Sequence, residues 1–443
     1  MKRTISQATT LLCTGDIHIG RRPSRLPTHL DGRRFAASAA WNQVVDEAVQ
    51  RRVDAVVLTG DIVERENRYY EALGPLEQGL RRLGEESIQT FAVAGNHDFD
   101  VFPEIVESLK LDGFHLLGPR GTWTREALII ENELEPRLFL DGWSFPQLHM
   151  ARSPLETYKY EQANVPVLGV LHGEVDPSSG TRYAPVSSSE LARAGPVMWL
   201  MGHRHSPTLK ETETGVKYLY PGSPQPLGPN ETGAHGPWLI HVHPTGAVEP
   251  EQLITATVRY EEIDVDLTDV DDEGETRTRV VERIRQALHT DLDDLGPVER
   301  LVCRLKLRGR TSLHGSVLDI TSAATDDFEL NLDDTTATID TIRNETRPAI
   351  DLDALATARS PSGSLARIVR DLEAGKDTPE IRTLLAAARE RVTEVDRSRT
   401  YAPISDRFTD VPRVGRADLR SLVRQQALLL IDELEGQKHK ERP

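Results

Sequence analysis

Cysteine is almost missing from this chain, at two residues in 443. Cys13 and Cys303 each lie in a strand-like run, so they read as buried free thiols rather than as a disulfide. Long apolar runs are missing as well. The apolar stretches are short and strand-like, which leaves no membrane span and no secretory segment near Met1, and a cytoplasmic protein is expected. Positive charge is scarce: 53 Lys and Arg face 70 Asp and Glu, for a net charge of -17. That balance argues against a protein coated in nucleic-acid-binding potential, while leaving room for a local basic groove. Lysine is rarest of all, at 9 of the 53 against 44 arginines. With acidic runs such as 269–273 and 291–294, this suggests a GC-rich genome or a salt-tolerant host, the runs themselves reading as solvated faces. No internal repeat is present. The length is enough for two or three domains and rules out a single small module.

Against these absences stand five short motifs in fixed order: Asp16-Ile17-His18, Gly60-Asp61, Gly95-Asn96-His97-Asp98, His172-Gly173 and Gly202-His203-Arg204-His205. Each alone arises by chance. Together they supply the donor mix that two cations about 3.5–4 Å apart require: a bridging carboxylate, further O and N ligands on each side, and room for water and phosphate. Asp61 is the expected bridge. The pattern is that of a two-metal phosphoesterase.

Residues 10–250 alternate short β runs with amphipathic helices. Runs at 10–14, 55–59, 90–94, 167–171 and 197–201 each lead into one of the motifs, and further strands are expected at 127–130, 137–140, 217–220 and 238–242, with a helix over 41–51. Ligands that follow strands, where the chain turns across a sheet edge, are typical of α/β active sites. The fold class is therefore α/β: a two-sheet core flanked by helices over 1–257, then a small α+β domain over 258–347 of strand, helix, strand. A helical C-terminal region follows, with a helical segment over 348–395, a linker over 396–415 and a last helix over 416–443. In that helix Leu419, Val423, Leu430 and Leu434 form one stripe, with Leu422 and Leu429 beside it. Whether the stripe packs on its own domain or on a partner stays open, since the linker would let the helix leave the core.

The motif series resembles the calcineurin-like metallophosphoesterase superfamily over roughly the first 250 residues. Tyr220-Pro221-Gly222-Ser223-Pro224-Gln225, the unit from Val258 and the helical end are similar to its DNA repair exonuclease branch, the SbcD-type nuclease subunits. That resemblance implies one metal held by Asp16, His18, Asp61 and His205, and another by Asp61, Asn96, His172 and His203. It implies His97 as proton donor or transition-state stabiliser, a small domain that caps the nuclease, and C-terminal helices that engage an SMC-like ABC-type ATPase with a coiled coil. DNA ends or single/double-strand junctions are the implied substrate, two divalent ions the cofactors (manganese first, with iron, zinc or cobalt as alternatives), and a homodimer a further implied assembly. One position departs from the branch. Its eukaryotic and archaeal members carry His three residues after the bridging Asp; here Glu64 stands there, followed by Arg65, which leans toward the protein phosphatases.

Glu64 is accordingly expected to orient His97 and raise its proton affinity, since a nearby negative charge favours imidazolium. Asp98 either orients His97 or satisfies its loop backbone, the latter being favoured. His241 and His243 share one strand face and read as exposed polar residues. No role is assigned to His29, His115, His149 or His235. Arg21, Arg22, Arg25, Arg65 and Arg68 line a duplex groove or belong to ordinary charged loops. Three functions compete: a nuclease acting on DNA ends, a phosphatase or small-molecule phosphodiesterase with the same metal core, and a non-catalytic scaffold, against which the intact ligand set speaks.

Overall fold

The computed structural model describes residues 8–27, 32–64, 71–130, 133–178, 180–291, 295–322, 328–332, 334–397 and 419–440. The chain divides into two compact units, 1–309 with 315–346, and 310–314 with 347–443. Arg65, Arg68, His29 and most of the expected linker lie outside the described residues. Among the described residues no helix is long and apolar enough to cross a membrane.

The first unit begins β1 (Thr9–Thr14), α1 (Ala37–Arg51), β2 (Ala55–Leu58), α2 (Leu73–Glu85), β3 (Gln89–Ala92), α3 (Val101–Leu109) and β4 (Phe114–Leu116). A second series follows as β5 (Trp123–Leu128), β6 (Leu138–Trp143), β7 (Val167–His172), α4 (Ser188–Arg193), β8 (Met198–Gly202), β9 (Thr208–Glu211) and β10 (Lys217–Tyr220), and then β11 (Trp238–Val242) and β12 (Val248–Gln252). They make two six-stranded sheets, ordered β12-β11-β1-β2-β3-β4 and β5-β6-β7-β8-β10-β9. In the first sheet β1 to β4 run parallel. In the second, β6, β7, β8 and β10 do so.

Each central strand is buried on both faces, which is why its sequence reads as an unbroken apolar run. The period of two then sorts its side chains between layers. Leu11 and Cys13, with Val57 and Phe91, face Leu140, Leu168, Val170 and Leu200 of the other sheet. Leu12, Val56 and Ala92 face outward onto the helices, against Trp41, Val44, Leu76 and Phe102. Helix α1 buries Ala37, Ala40, Trp41, Val44, Val45 and Ala48, the i, i+3, i+4 stripe of a half-buried helix. Gly79 of α2 is needed there, because a Cβ would lie 2.2 Å from Nε1 of Trp41. Burial raises the Cys13 thiol far above its ordinary range and keeps it inert.

The small α+β part contains β13 (Val258–Asp266), α5 (Glu273–Gln286), β14 (Arg300–Arg308), α6 (Val317–Ser322), β16 (Glu329–Leu332) and β17 (Thr335–Asn344); a two-residue β15 (Arg310–Thr311) of the second unit intervenes. Its sheet order is β13-β14-β17-β16, with the first three parallel. Ile263, Val265, Leu301, Cys303 and Leu305 form its core with Val280 and Ile284 of α5. The sheet has two strands more than the strand, helix, strand unit expected from the sequence. Strand β5 also differs, running Trp123–Leu128 instead of 127–130. Its polar residues are recruited by Arg125, whose guanidinium grips both carboxylate oxygens of Asp141 on β6 at 2.5 and 2.7 Å.

The second unit pairs β15 with β18 (Arg347–Pro348) and adds α7 (Leu352–Thr357), α8 (Pro361–Glu373), α9 (Pro379–Arg397) and α10 (Leu419–Lys440). Helix α9 continues through Arg397, past the expected start of the linker. On α10 the buried residues are Ala427 and Ile431, set against Ala356, Ala366 and Val369. Leu422 and Leu430 are exposed, which corrects the expected leucine stripe. Small side chains let α10 approach α8 closely, so an alanine outranks two leucines in choosing the buried face. Asp432 locks that face, accepting from Arg310 at 2.8 and 2.7 Å and from Arg347 at 2.6 Å.

Candidate metal centre

All seven donors named from the sequence follow or end parallel strands, at matching edges of the two sheets: Asp16 and His18 after β1, Asp61 after β2, Asn96 after β3, His172 ending β7, His203 and His205 after β8. The turns are tight. Asp16, His18, Asp61 and His203 have φ of 49, 51, 51 and 99°. Left-handed backbone at non-glycine residues costs of order 1–3 kcal/mol each and persists only where surrounding structure enforces it. The enforcement is visible in Asp16 N donating to Gly60 O at 2.9 Å and His18 N to Asp61 O at 3.0 Å. Two motif glycines have a steric reason: a Cβ on Gly95 would lie 2.1 Å from Oδ1 of Asp61, and one on Gly202 would lie 2.0 Å from the carbonyl oxygen of Thr59.

The donors converge in two neighbouring groups. Donor atoms of Asp16, His18 and His205 come together, as do those of Asp61, His172 and His203; a third cluster places Glu64 and His97 with His18. Asp61 lies between them, its Oδ2 3.3 Å from His172 Nε2 and 4.0 Å from His18 Nε2. The amide oxygen of Asn96 is 3.0 Å from His172 Nε2 and 3.2 Å from His203 Nδ1, within the second group. His18 Nε2 and His205 Nε2 are 3.2 Å apart in the first. Asp16 and Asp61 are fully buried. Buried carboxylates with imidazoles and backbone N–H groups around them call for positive charge between them, and the O and N donors suit a divalent ion.

Each histidine is oriented from behind. His172 Nδ1 donates to the carbonyl of Thr59 at 3.0 Å, which turns the lone pair of Nε2 inward. His18 Nδ1 meets Glu64 at 3.2 Å, His203 Nε2 meets Glu174 at 3.2 Å, and His205 Nδ1 meets Glu231 at 2.9 Å. Acceptors on the far nitrogen fix tautomer and ring direction, the usual support of a ligating histidine. Glu174 and Glu231 were not singled out from the sequence. Glu174 stands two residues after His172 and was within reach of a motif reading; Glu231 is 26 residues beyond His205 and carries no local signal.

Glu64 lies beneath both His18 and His97, 3.7 Å from Nδ1 of the latter. It is thus nearer to the candidate ligand His18 than to the residue it was expected to orient. These imidazoles hold its carboxyl well below the usual range, and Glu64 in turn raises His97 against a lowering by burial. His97 is half-exposed, and its backbone N–H donates to Oδ1 of Asp61 at 2.8 Å. Burial opposes both charges of the central pair, yet mutual attraction lowers Asp61 and lifts His172 to about 9. Asp98 is fully buried and accepts from the backbone N–H groups of Gly95 at 2.8 Å, Ile62 at 2.7 Å and Val63 at 3.2 Å. Its role is to join the Asp61 and Asn96 loops, although burial and the Asp61 charge push its carboxyl up to about 7.

The arginines named for a groove already face carboxylates: Arg21 and Glu64 at 3.8 Å, Arg22 and Glu71 at 3.6 Å, Arg25 and Asp340 at 3.7 Å. These three are therefore not a row of unpaired cations. His241 bonds Thr10 and His243 pairs with Glu249, away from the centre.

Residues 9–207 match the family model of calcineurin-like phosphoesterases, and residues 260–347 match that of the middle domain of metallophosphoesterase YhaO. The chain is 27% identical over 278 residues to an uncharacterized metallophosphoesterase, YhaO, of Bacillus subtilis, across 59% of this chain and 64% of that protein. It is 28% identical over 297 residues to the DNA double-strand break repair protein Mre11 of Haloferax volcanii, across 65% and 59% respectively. The corresponding protein of Methanopyrus kandleri is 26% identical over 257 residues, across 53% and 54%. The chain thus spans less than two thirds of the length of these curated relatives.

Proposed function

We propose that this chain, which carries a calcineurin-like phosphoesterase domain and is thereby a metal-dependent hydrolase of phosphoester bonds, is a phosphodiesterase acting on DNA ends. The observation that carries the catalytic part is the convergence of seven donors with every imidazole held from behind. Asp16, His18, Asp61 and His205 would hold one divalent ion, and Asp61, Asn96, His172 and His203 the other, manganese being the first choice and iron, zinc or cobalt also suiting the donors. Such a pair supplies Lewis acidity toward a phosphoryl oxygen and makes water nucleophilic at neutral pH. Asn96 completes its group with a neutral oxygen, which leaves the centre net positive toward a phosphodiester. His97, half-exposed beside Asn96 and with its proton affinity raised by Glu64, would steady a phosphoryl oxygen or give its proton to the leaving oxygen.

The DNA part is supported by the repair proteins among the relatives. With Mn2+ added after dialysis, the purified chain is expected to hydrolyse bis-p-nitrophenyl phosphate and to degrade linear duplex only weakly, because a chain of net charge -17 has few cations to spare for phosphate contacts. Undiminished hydrolysis in excess chelator would remove the metal mechanism. A chain that hydrolyses phosphomonoesters and spares duplex would favour the second reading, a phosphatase, for which Glu64 at the branch's histidine position speaks. Two buried free cysteines accord with a cytoplasmic setting.

An SMC-like ABC-type ATPase with a coiled coil is the partner proposed from the branch resemblance. Because Ala427 and Ile431 of α10 are used within the second unit, the surface to alter is the exposed pair Leu422 and Leu430. Replacing both by Asp is expected to weaken co-purification with the ATPase while leaving bis-p-nitrophenyl phosphate hydrolysis intact. Normal co-purification would dismiss this face as the docking site.

A further inference from the structure

The strap between β10 and β11 holds Glu231, the carboxylate behind His205. Glu231 is mostly buried, and three donors meet its oxygens: His205 Nδ1 at 2.9 Å, the Ser223 hydroxyl at 3.0 Å and the Leu227 N–H at 2.8 Å. The strap itself is tied to the small α+β part. Gly233 N donates to Tyr260 O of β13 at 3.2 Å, Thr232 and Tyr260 form a β-bridge, and Arg304 of β14 donates to Oδ1 of Asn230 at 3.2 Å. The same strand reaches the loop that follows His18. The Tyr260 hydroxyl donates to the carbonyl of Ser24, Ser24 N donates to Leu227 O at 3.0 Å, and Leu26 and Phe35 pack on Val258, Tyr260 and Val302. His205 is therefore supported through the strap on β13, and the loop that follows His18 packs on the same strand. The contrast is with His18, His172 and His203, whose partners Glu64, Thr59 and Glu174 belong to the two-sheet core itself.

We infer that Glu231 is the positioning residue for His205, and that through it the small domain controls one half of the metal centre, the half formed by Asp16, His18 and His205. The inference rests on the two-metal reading of those donors. An acceptor on the far nitrogen of a ligating histidine is worth about 10–100-fold in metal affinity, and by linkage whatever holds that acceptor is itself steadied when metal binds.

The test uses the full chain and Mn2+ alone. Equilibrium dialysis of the wild type should give two equivalents; in Glu231→Ala one of the two should weaken by about 10–100-fold while the other stays. Glu231→Gln, which keeps an oxygen for the His205 N–H, should recover most of the loss and covers the case in which the alanine variant does not fold. Glu174→Ala should weaken the other equivalent. Hydrogen exchange supplies a readout that general destabilisation does not imitate: Mn2+ should protect the Gly233 amide and those of 258–263 in the wild type and in Glu174→Ala, and fail to do so in Glu231→Ala. Two equivalents at wild-type affinity in a folded Glu231→Ala, or no Mn2+-dependent protection of 258–263 in the wild type, overturns the inference alone. A wild-type chain that binds no Mn2+ overturns the two-metal reading with it.

Discussion

Asp61→Asn is expected to hydrolyse bis-p-nitrophenyl phosphate at the buffer rate with Mn2+ present, and to retain less than one equivalent of metal after dialysis. The substitution keeps size and an acceptor for the His97 N–H, which donates to Oδ1 at 2.8 Å. What it removes is the negative charge 3.3 Å from His172 and 4.0 Å from His18. Two ions close together repel strongly in a buried site, and a shared carboxylate is the group that offsets the repulsion. Loss of that charge should therefore release both ions, a larger effect than losing any terminal ligand. An Asp61→Asn chain with two bound Mn2+ and measurable turnover would dispose of Asp61 as the bridge.

His97→Ala should behave in the opposite manner on metal. Its side chain clusters with His18 and Glu64 but belongs neither to the group of Asp16, His18 and His205 nor to that of Asp61, His172 and His203, so the variant is expected to hold two equivalents while turnover falls by about 10²–10⁴, the share of a positioned proton donor. Glu64→Gln separates two roles the structure assigns to one carboxylate. If Glu64 mainly supports His18, which it meets at 3.2 Å, metal affinity drops by about 10–100-fold and added Mn2+ restores the rate. If it mainly serves His97, at 3.7 Å, metal content holds and the rate falls regardless of Mn2+. Metal loss in His97→Ala would make His97 a ligand and require a new proton donor.

The part of this protein that could be read from residue order is the part written locally. Short apolar runs ending in Gly-Asp, Gly-Asn-His or Gly-His mark strands that deliver a ligand at their end, because burial on both faces and the turn across a sheet edge are properties of neighbouring residues. The places of the seven candidate donors at strand ends and the α/β class follow from such runs, whereas the role of His97 came from the resemblance and the strand read over 263–267 begins at Val258 in the structure. Strand ends were less legible. Nothing between Trp123 and Glu126 announces a strand until Asp141 is known to lie opposite Arg125.

Tertiary structure decided the rest, since it chose partners far apart in the chain. The backs of the imidazoles are held across 46 residues for His18 and Glu64, 113 for His172 and Thr59, and 26 for His205 and Glu231. A carboxylate looks the same in sequence whether it lies under a histidine or in solvent, and the sequence holds 70 of them. Helix α10 shows the same limit: periodicity marks a leucine stripe, but the contour of α8 selects Ala427 and Ile431 and leaves Leu430 outside. Sequence by itself determined which atoms can bind metal, because donor chemistry belongs to the residue. Folding alone decided which of them are aimed and by what, because orientation in a packed interior is set by neighbours that only the closed chain brings within hydrogen-bond reach.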